Sequence, residues 1–242
     1  MSKTEQSRQK KLAKKRKKEI AKRKQLAAEK NAMKSIVGQI SAAQRAPIMG
    51  CYVANGLLDN ERSDEIGGVL VGRPLPDGRV VFVCFLVDKA CLGVKDAFAR
   101  LVTPQQFSEQ VRGFSSRDPM TKCEPSLAKK LVSESVRWAG QFGLTPMGDY
   151  QRVSRIWQDV DETACEQEFR FGRDGVPCYI QGPNDSPEFV HRVMNTIGQH
   201  LGDGQVPFLM TDDDVEAMED WDDEDEDDPG EETRNLRLDQ PE

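Results

Sequence analysis

Charge is so unevenly placed along this chain that only its middle can build a conventional core. Residues 1–34 carry fourteen Lys/Arg against three Asp/Glu, and residues 212–232 carry fifteen Asp/Glu and no basic residue. The stretch between them holds eighteen basic and twenty-one acidic residues, an ordinary balance. The overall net charge of -7 hides this segregation. Like charges packed this densely repel one another and bury little apolar surface. The expected organisation is therefore a basic helical arm, partly disordered, over residues 1–34. A single globular domain over 35–210 and a disordered acidic tail over 211–242 follow. A segment the size of the middle one buries roughly 70% of the surface its unfolded chain exposes, so it needs neither metal nor disulfide to fold.

Residues 3–45 predict one long helix. Lys, Arg, Gln, Glu and Ala dominate, with no Gly or Pro before Gly38, and these are strong helix formers. Its two halves differ. From Gln9 to Lys24 the charge runs all round the cylinder. From Leu26 onward Leu26, Met33, Ile36, Val37, Ile40 and Ala43 recur at helical spacing. The second half should dock on the core and the first project into solvent, with the division near Leu26. Pro47 ends the helix.

The centre reads as α+β. Residues 48–54 predict a strand. Residues 66–71 and 79–87 predict a hairpin about Pro74-Leu75-Pro76-Asp77-Gly78, whose Asp-Gly is turn chemistry. Every residue from Val81 to Val87 is apolar, so both faces of that strand should be covered. Residues 90–100 and 104–113 read as short helices, 115–125 as a polar loop, 126–142 as an amphipathic helix and 147–157 as another helix. Residues 167–171 and 176–180 flank Gly172-Arg173-Asp174-Gly175 and predict a second hairpin. Asp185 or Ser186 caps a last helix that has Pro187 in its first turn and runs to about Leu201. The expected fold is an antiparallel sheet built from two hairpins with flanking helices, preceded by the long basic helix and followed by the acidic tail.

Motifs of known chemistry are absent. Six cysteines, at 51, 84, 91, 123, 165 and 178, form no C-x-x-C pair, which removes zinc-ribbon and thioredoxin readings. Gly172-Arg173-Asp174-Gly175 has neither the P-loop ending nor dinucleotide-loop spacing. Asp159, Asp161 and Glu162 lack the remainder of a calcium loop. No cofactor is expected. The N-terminus has no apolar signal-peptide core and no apolar run is long enough to cross a membrane, so the expected location is the cytoplasm.

The arm carries the strongest functional signal. Lys10, Lys11, Lys14, Lys15, Arg16, Lys17, Lys18, Lys22, Arg23 and Lys24 surround a short helix with cations. Such a surface matches the phosphates of nucleic acid, and helix formation on binding is common on RNA. No aromatic residue interrupts it, so base stacking and sequence specificity are not expected. The reading is a non-catalytic protein that binds RNA or the ribosome through the arm. The acidic tail modulates that binding, or engages a basic protein partner through Met218 and Trp221. Two rivals remain. One is a small enzyme using Asp88, Cys91, Lys95 and Asp96, with His191 or His200 as the base a thiol nucleophile needs. The two histidines stand nine residues apart, about half a turn out of phase on a helix, so they cannot share a site. The other rival is an interaction adaptor using the tail.

Overall fold

The computed structural model describes residues 36–201, the strand at 208–209 and, within the arm, Arg16, Ile20, Arg23 and Lys24. Residues 36–43 form helix α1, which ends ahead of Pro47. Ile36, Ile40 and Ala43 are buried in the main core, as their i, i+4, i+7 spacing requires. Leu26 and Met33, the other predicted docking residues, lie outside the described residues, as does the acidic tail.

Five strands follow, in an antiparallel sheet ordered β4-β3-β2-β1-β5. They are β1 (Gly50–Ala54), β2 (Ile66–Pro74), β3 (Val80–Asp88), β4 (Gly93–Val102) and β5 (Met120–Cys123). A short helix, α2 (Asn55–Leu58), lies between β1 and β2. The predicted first hairpin is β2–β3, with Gly78 at φ 84° in its turn. Strand β3 is an interior strand, between β4 and β2, and both its faces are covered. Val81, Val83, Phe85 and Val87 enter the main core, while Val80, Phe82 and Cys84 enter a second cluster on the opposite face.

Each face has its own helix. Helix α3 (Pro104–Ser115) lays Phe107 over β2, against Phe82 and Tyr52. The approach is close: a Cβ at Gly72 would come within 2.6 Å of the Phe107 ring. Helix α4 (Pro125–Gly140) covers the other face with Ala128, Leu131 and Val132. Beside it pack α1, the helical turn α5 (Tyr150–Val153) and the 3-10 turn Ser154–Trp157, whose Trp157 stacks on Phe85. Helix α6 (Pro187–Leu201) buries Val193 and Ile197 in a third cluster around the β3–β4 turn. Its first turn is capped by Ser186 Oγ, which accepts from Phe189 N at 3.3 Å.

The α+β class and the antiparallel sheet match the sequence reading, and three details differ. Residues 93–102 are strand β4, not a helix. Their backbone groups pair with β3 from Val80↔Val102 to Asp88↔Gly93, with a bulge near Lys95. The predicted polar loop contains β5, which among the described residues pairs with β1 alone. The second predicted hairpin is also not part of the sheet. Residues 173 and 176 make one isolated bridge, and β6 (Tyr179–Ile180) pairs in parallel with β7 (Phe208–Leu209). The sheet is therefore a four-strand meander closed by β5, rather than two hairpins.

Candidate functional site

Of the ten arm cations, Arg16, Arg23 and Lys24 are described, and all three are helical and exposed. With Ile20, itself 56% exposed, they recur at four- and three-residue steps, which puts them along one face of a helix. Lys10, Lys11, Lys14, Lys15, Lys17, Lys18 and Lys22 lie outside the described residues. The arm enters the folded part at α1, whose buried face begins at Ile36.

The second candidate region is the β3–β4 turn. Asp88, Lys89 and Cys91 are fully buried there. Asp88 Oδ1 accepts from Cys91 N at 2.9 Å and so shapes the turn. Burial drives the Asp88 carboxyl up to about 6, against the opposing pull of the amides of Cys91, Leu92 and Ala90 and of Lys95. Lys89 Nζ donates to Leu57 O at 3.2 Å and Asp59 O at 2.8 Å, satisfying carbonyls at the end of α2. Burial lowers its pKa, and Asp59, Glu65 and Asp64 partly restore it.

The bulge in β4 turns Lys95 inward. Its Nζ meets Asp185 Oδ2 at 2.7 Å, both side chains being largely buried. The same oxygen accepts from Tyr179 Oη at 2.7 Å and from Gly182 N at 2.8 Å. Burial alone would push Asp185 up. The bonds from Lys95, Tyr179 and Gly182 outweigh it and hold the carboxyl below its usual range. Tyr179 is raised by burial first and then by its bond to Asp185.

Among the described residues this arrangement gathers Asp88, Cys91 and Lys95, with neither histidine hydrogen-bonded to the thiol. Burial, reinforced by Asp88 and Cys178, pushes Cys91 far above the ordinary thiol range. An inert buried thiol is the result. Both histidines are exposed on α6, half a turn apart. His191 Nε2 is 2.9 Å from Asn195 Nδ2, and His200 Nδ1 is 2.8 Å from Thr196 O. Asp96 Oδ1 accepts from the adjacent Ala97 N at 2.8 Å. The Lys95–Asp185–Tyr179 contacts tie the 182–185 turn to the bulge in β4.

Sequence reasoning missed Tyr179 and Asp185 as partners of Lys95. Asp185 was expected only as a helix cap, and nothing in local spacing connects it to a lysine ninety positions away. Among the described residues no group of three His, Cys, Asp or Glu is placed to hold a metal ion, and no helix is long and apolar enough to cross a membrane. Comparisons with protein-family models, with curated proteins and with solved structures returned no match.

Proposed function

We propose that the chain binds phosphate-rich nucleic acid, RNA or the ribosome in preference to DNA, through its basic arm. The observation that carries this reading is the density of cations in an arm without glycine or proline. Arm lysines and arginines neutralise phosphates and release condensed counterions, so affinity falls steeply with salt. About six contacts lose roughly a thousandfold between 50 and 200 mM salt. The preference for RNA rests on the cationic, helix-forming sequence of the arm, with no helix-turn-helix or zinc-finger pattern beside it. The burial of Ile36, Ile40 and Ala43 supports treating the arm as an appendage of the folded part.

The test compares the full chain with a deletion of residues 1–34, which spares the α1 docking face. Retention on immobilised RNA is measured as salt rises. The full chain should be retained and eluted by salt, and the deletion should pass through while keeping its folded spectrum. If the full chain shows no salt-sensitive RNA binding even after residues 212–242 are removed, the proposal is wrong.

A further inference from the structure

We propose that Cys51 and Cys123 form a reversible cross-strand disulfide when the protein meets a hydroperoxide. The two residues are direct partners in the β1–β5 pairing, Cys51↔Cys123. Residues opposite one another in an antiparallel pair project from the same face of the sheet, and both cysteines reach the main core there.

The backbone separation suits the bond, and the Cβ atoms must close by about 1 Å to make it. Asn55 N donates to Pro119 O at 2.8 Å just beyond the end of this ladder. Counting back in steps of two makes 53/121 and 51/123 hydrogen-bonded pairs. Such pairs hold their Cα atoms about 5.5 Å apart, within the roughly 4.4–6.8 Å span of protein disulfides. Both thiols are free in the described structure.

Access is graded. Cys51 is buried, whereas Cys123 is half-buried on a strand that has no further strand on its outer side among the described residues. Helix α4 starts two residues after Cys123, and the Ala128 amide near its start pulls the Cys123 thiol downward in pKa. That amide favours the thiolate, although burial, with Glu124, keeps the thiol up at about 12. Oxidation should therefore be slow and should begin at Cys123.

The chemistry closes. Cys123 loses its proton to solvent, and the thiolate attacks one peroxide oxygen. The O–O bond breaks, leaving a sulfenic acid and hydroxide (or alkoxide), which is protonated to water or the alcohol. The Cys51 sulfur then attacks the sulfenic sulfur as its own proton leaves, the S–O bond breaks, and the departing hydroxide becomes water. Two thiols lose two electrons in all, and the peroxide takes them up. The product staples an edge strand, and the entry to α4, onto β1. A thiol reductant reverses it by exchange.

Cys165 is the competitor, since it lies close enough to Cys123 to bear on its ionisation. Cys91 and Cys178 are a second neighbouring pair, but both are fully buried. The experiment therefore maps linkages. The full chain is reduced, freed of reductant, treated with hydrogen peroxide, blocked with an alkylating agent and digested. The expected result is a peptide pair joined through Cys51 and Cys123, lighter by two hydrogen atoms and separated by dithiothreitol. It should be lost in Cys123→Ser and retained in Cys165→Ser. Mapping of the native sequence does not depend on any variant folding. A Cys123–Cys165 or Cys91–Cys178 linkage without Cys51–Cys123, over-oxidation of Cys123 with Cys51 unchanged, or no linkage at all would overturn the proposal.

Discussion

Asp88 is fully buried, and its Oδ2 has no hydrogen-bond partner among the described residues. Its pKa rises from 3.8 to about 6 on folding. A carboxyl raised by folding adds stability below its unfolded value and loses that stability as pH climbs through the folded value. This one group should cost on the order of 3 kcal/mol between about pH 4 and pH 7. Asp88→Asn keeps an acceptor for Cys91 N and removes the titration. Denaturant unfolding at several pH values should show the wild-type minus variant difference drifting over that window; a constant difference would refute the assignment. Arg73 presents the complementary case. Its side chain is 1% exposed and pairs with Asp159, which is 56% exposed, while its Nη1 donates to Gln44 O at 3.1 Å. Removing the acid strands a buried cation, whereas removing the cation leaves a solvated acid. Asp159→Ala should therefore lower the unfolding midpoint more than Arg73→Met.

Elements reveal why some segments were readable and others were not. Helix α3 announces itself locally. Thr103 Oγ1 accepts from Gln106 N at 3.1 Å, Gln106 Oε1 accepts from Thr103 N at 2.9 Å, and Pro104 opens the first turn. Thr103→Ala removes one half of this capping box and should cost about 1 kcal/mol of unfolding free energy. Strand β4 misleads for a physical reason. Val94, Ala97, Phe98 and Leu101 stand at i, i+3, i+4 and i+7, which is the helical signature. The bulge at Lys95 shifts the alternation by one residue, so Val94, Ala97, Ala99 and Leu101 all meet the main core. Gly93 starts this strand at φ 70°, and a Cβ there would lie 2.6 Å from Ser135 O of α4. A left-handed backbone and a clash with main chain add, so Gly93→Ala should destabilise by roughly 3 kcal/mol in chemical denaturation. Strand β5 is four residues long, Met-Thr-Lys-Cys, and two of these are exposed; so short a polar run carries no readable period.

Across the whole molecule the two charged ends set the expected behaviour. Residues 212–232 carry fifteen carboxylates and the arm carries fourteen cations. Competition between tail and RNA for the arm gives a directional prediction, resting on the proposed function. Deleting residues 212–242 should tighten RNA binding at low salt, and the gain should shrink as salt screens both interactions. Fluorescence anisotropy with a labelled RNA at several salt concentrations reads both effects, and equal affinities with and without the tail would refute the competition.

The sequence alone determined the charge segregation, the doubly covered β3, and the helices α3, α4 and α6. A helix closes its hydrogen bonds within four residues, so its caps, turns and apolar stripe are all local. Tertiary structure alone decided the strands β4 and β5, the inward turn of Lys95 onto Asp185 and Tyr179, and the facing of Cys51 and Cys123. A strand must find its hydrogen-bond partners on another segment. The partner of Cys51 is seventy-two positions away and that of Lys95 ninety, and no local pattern records either distance.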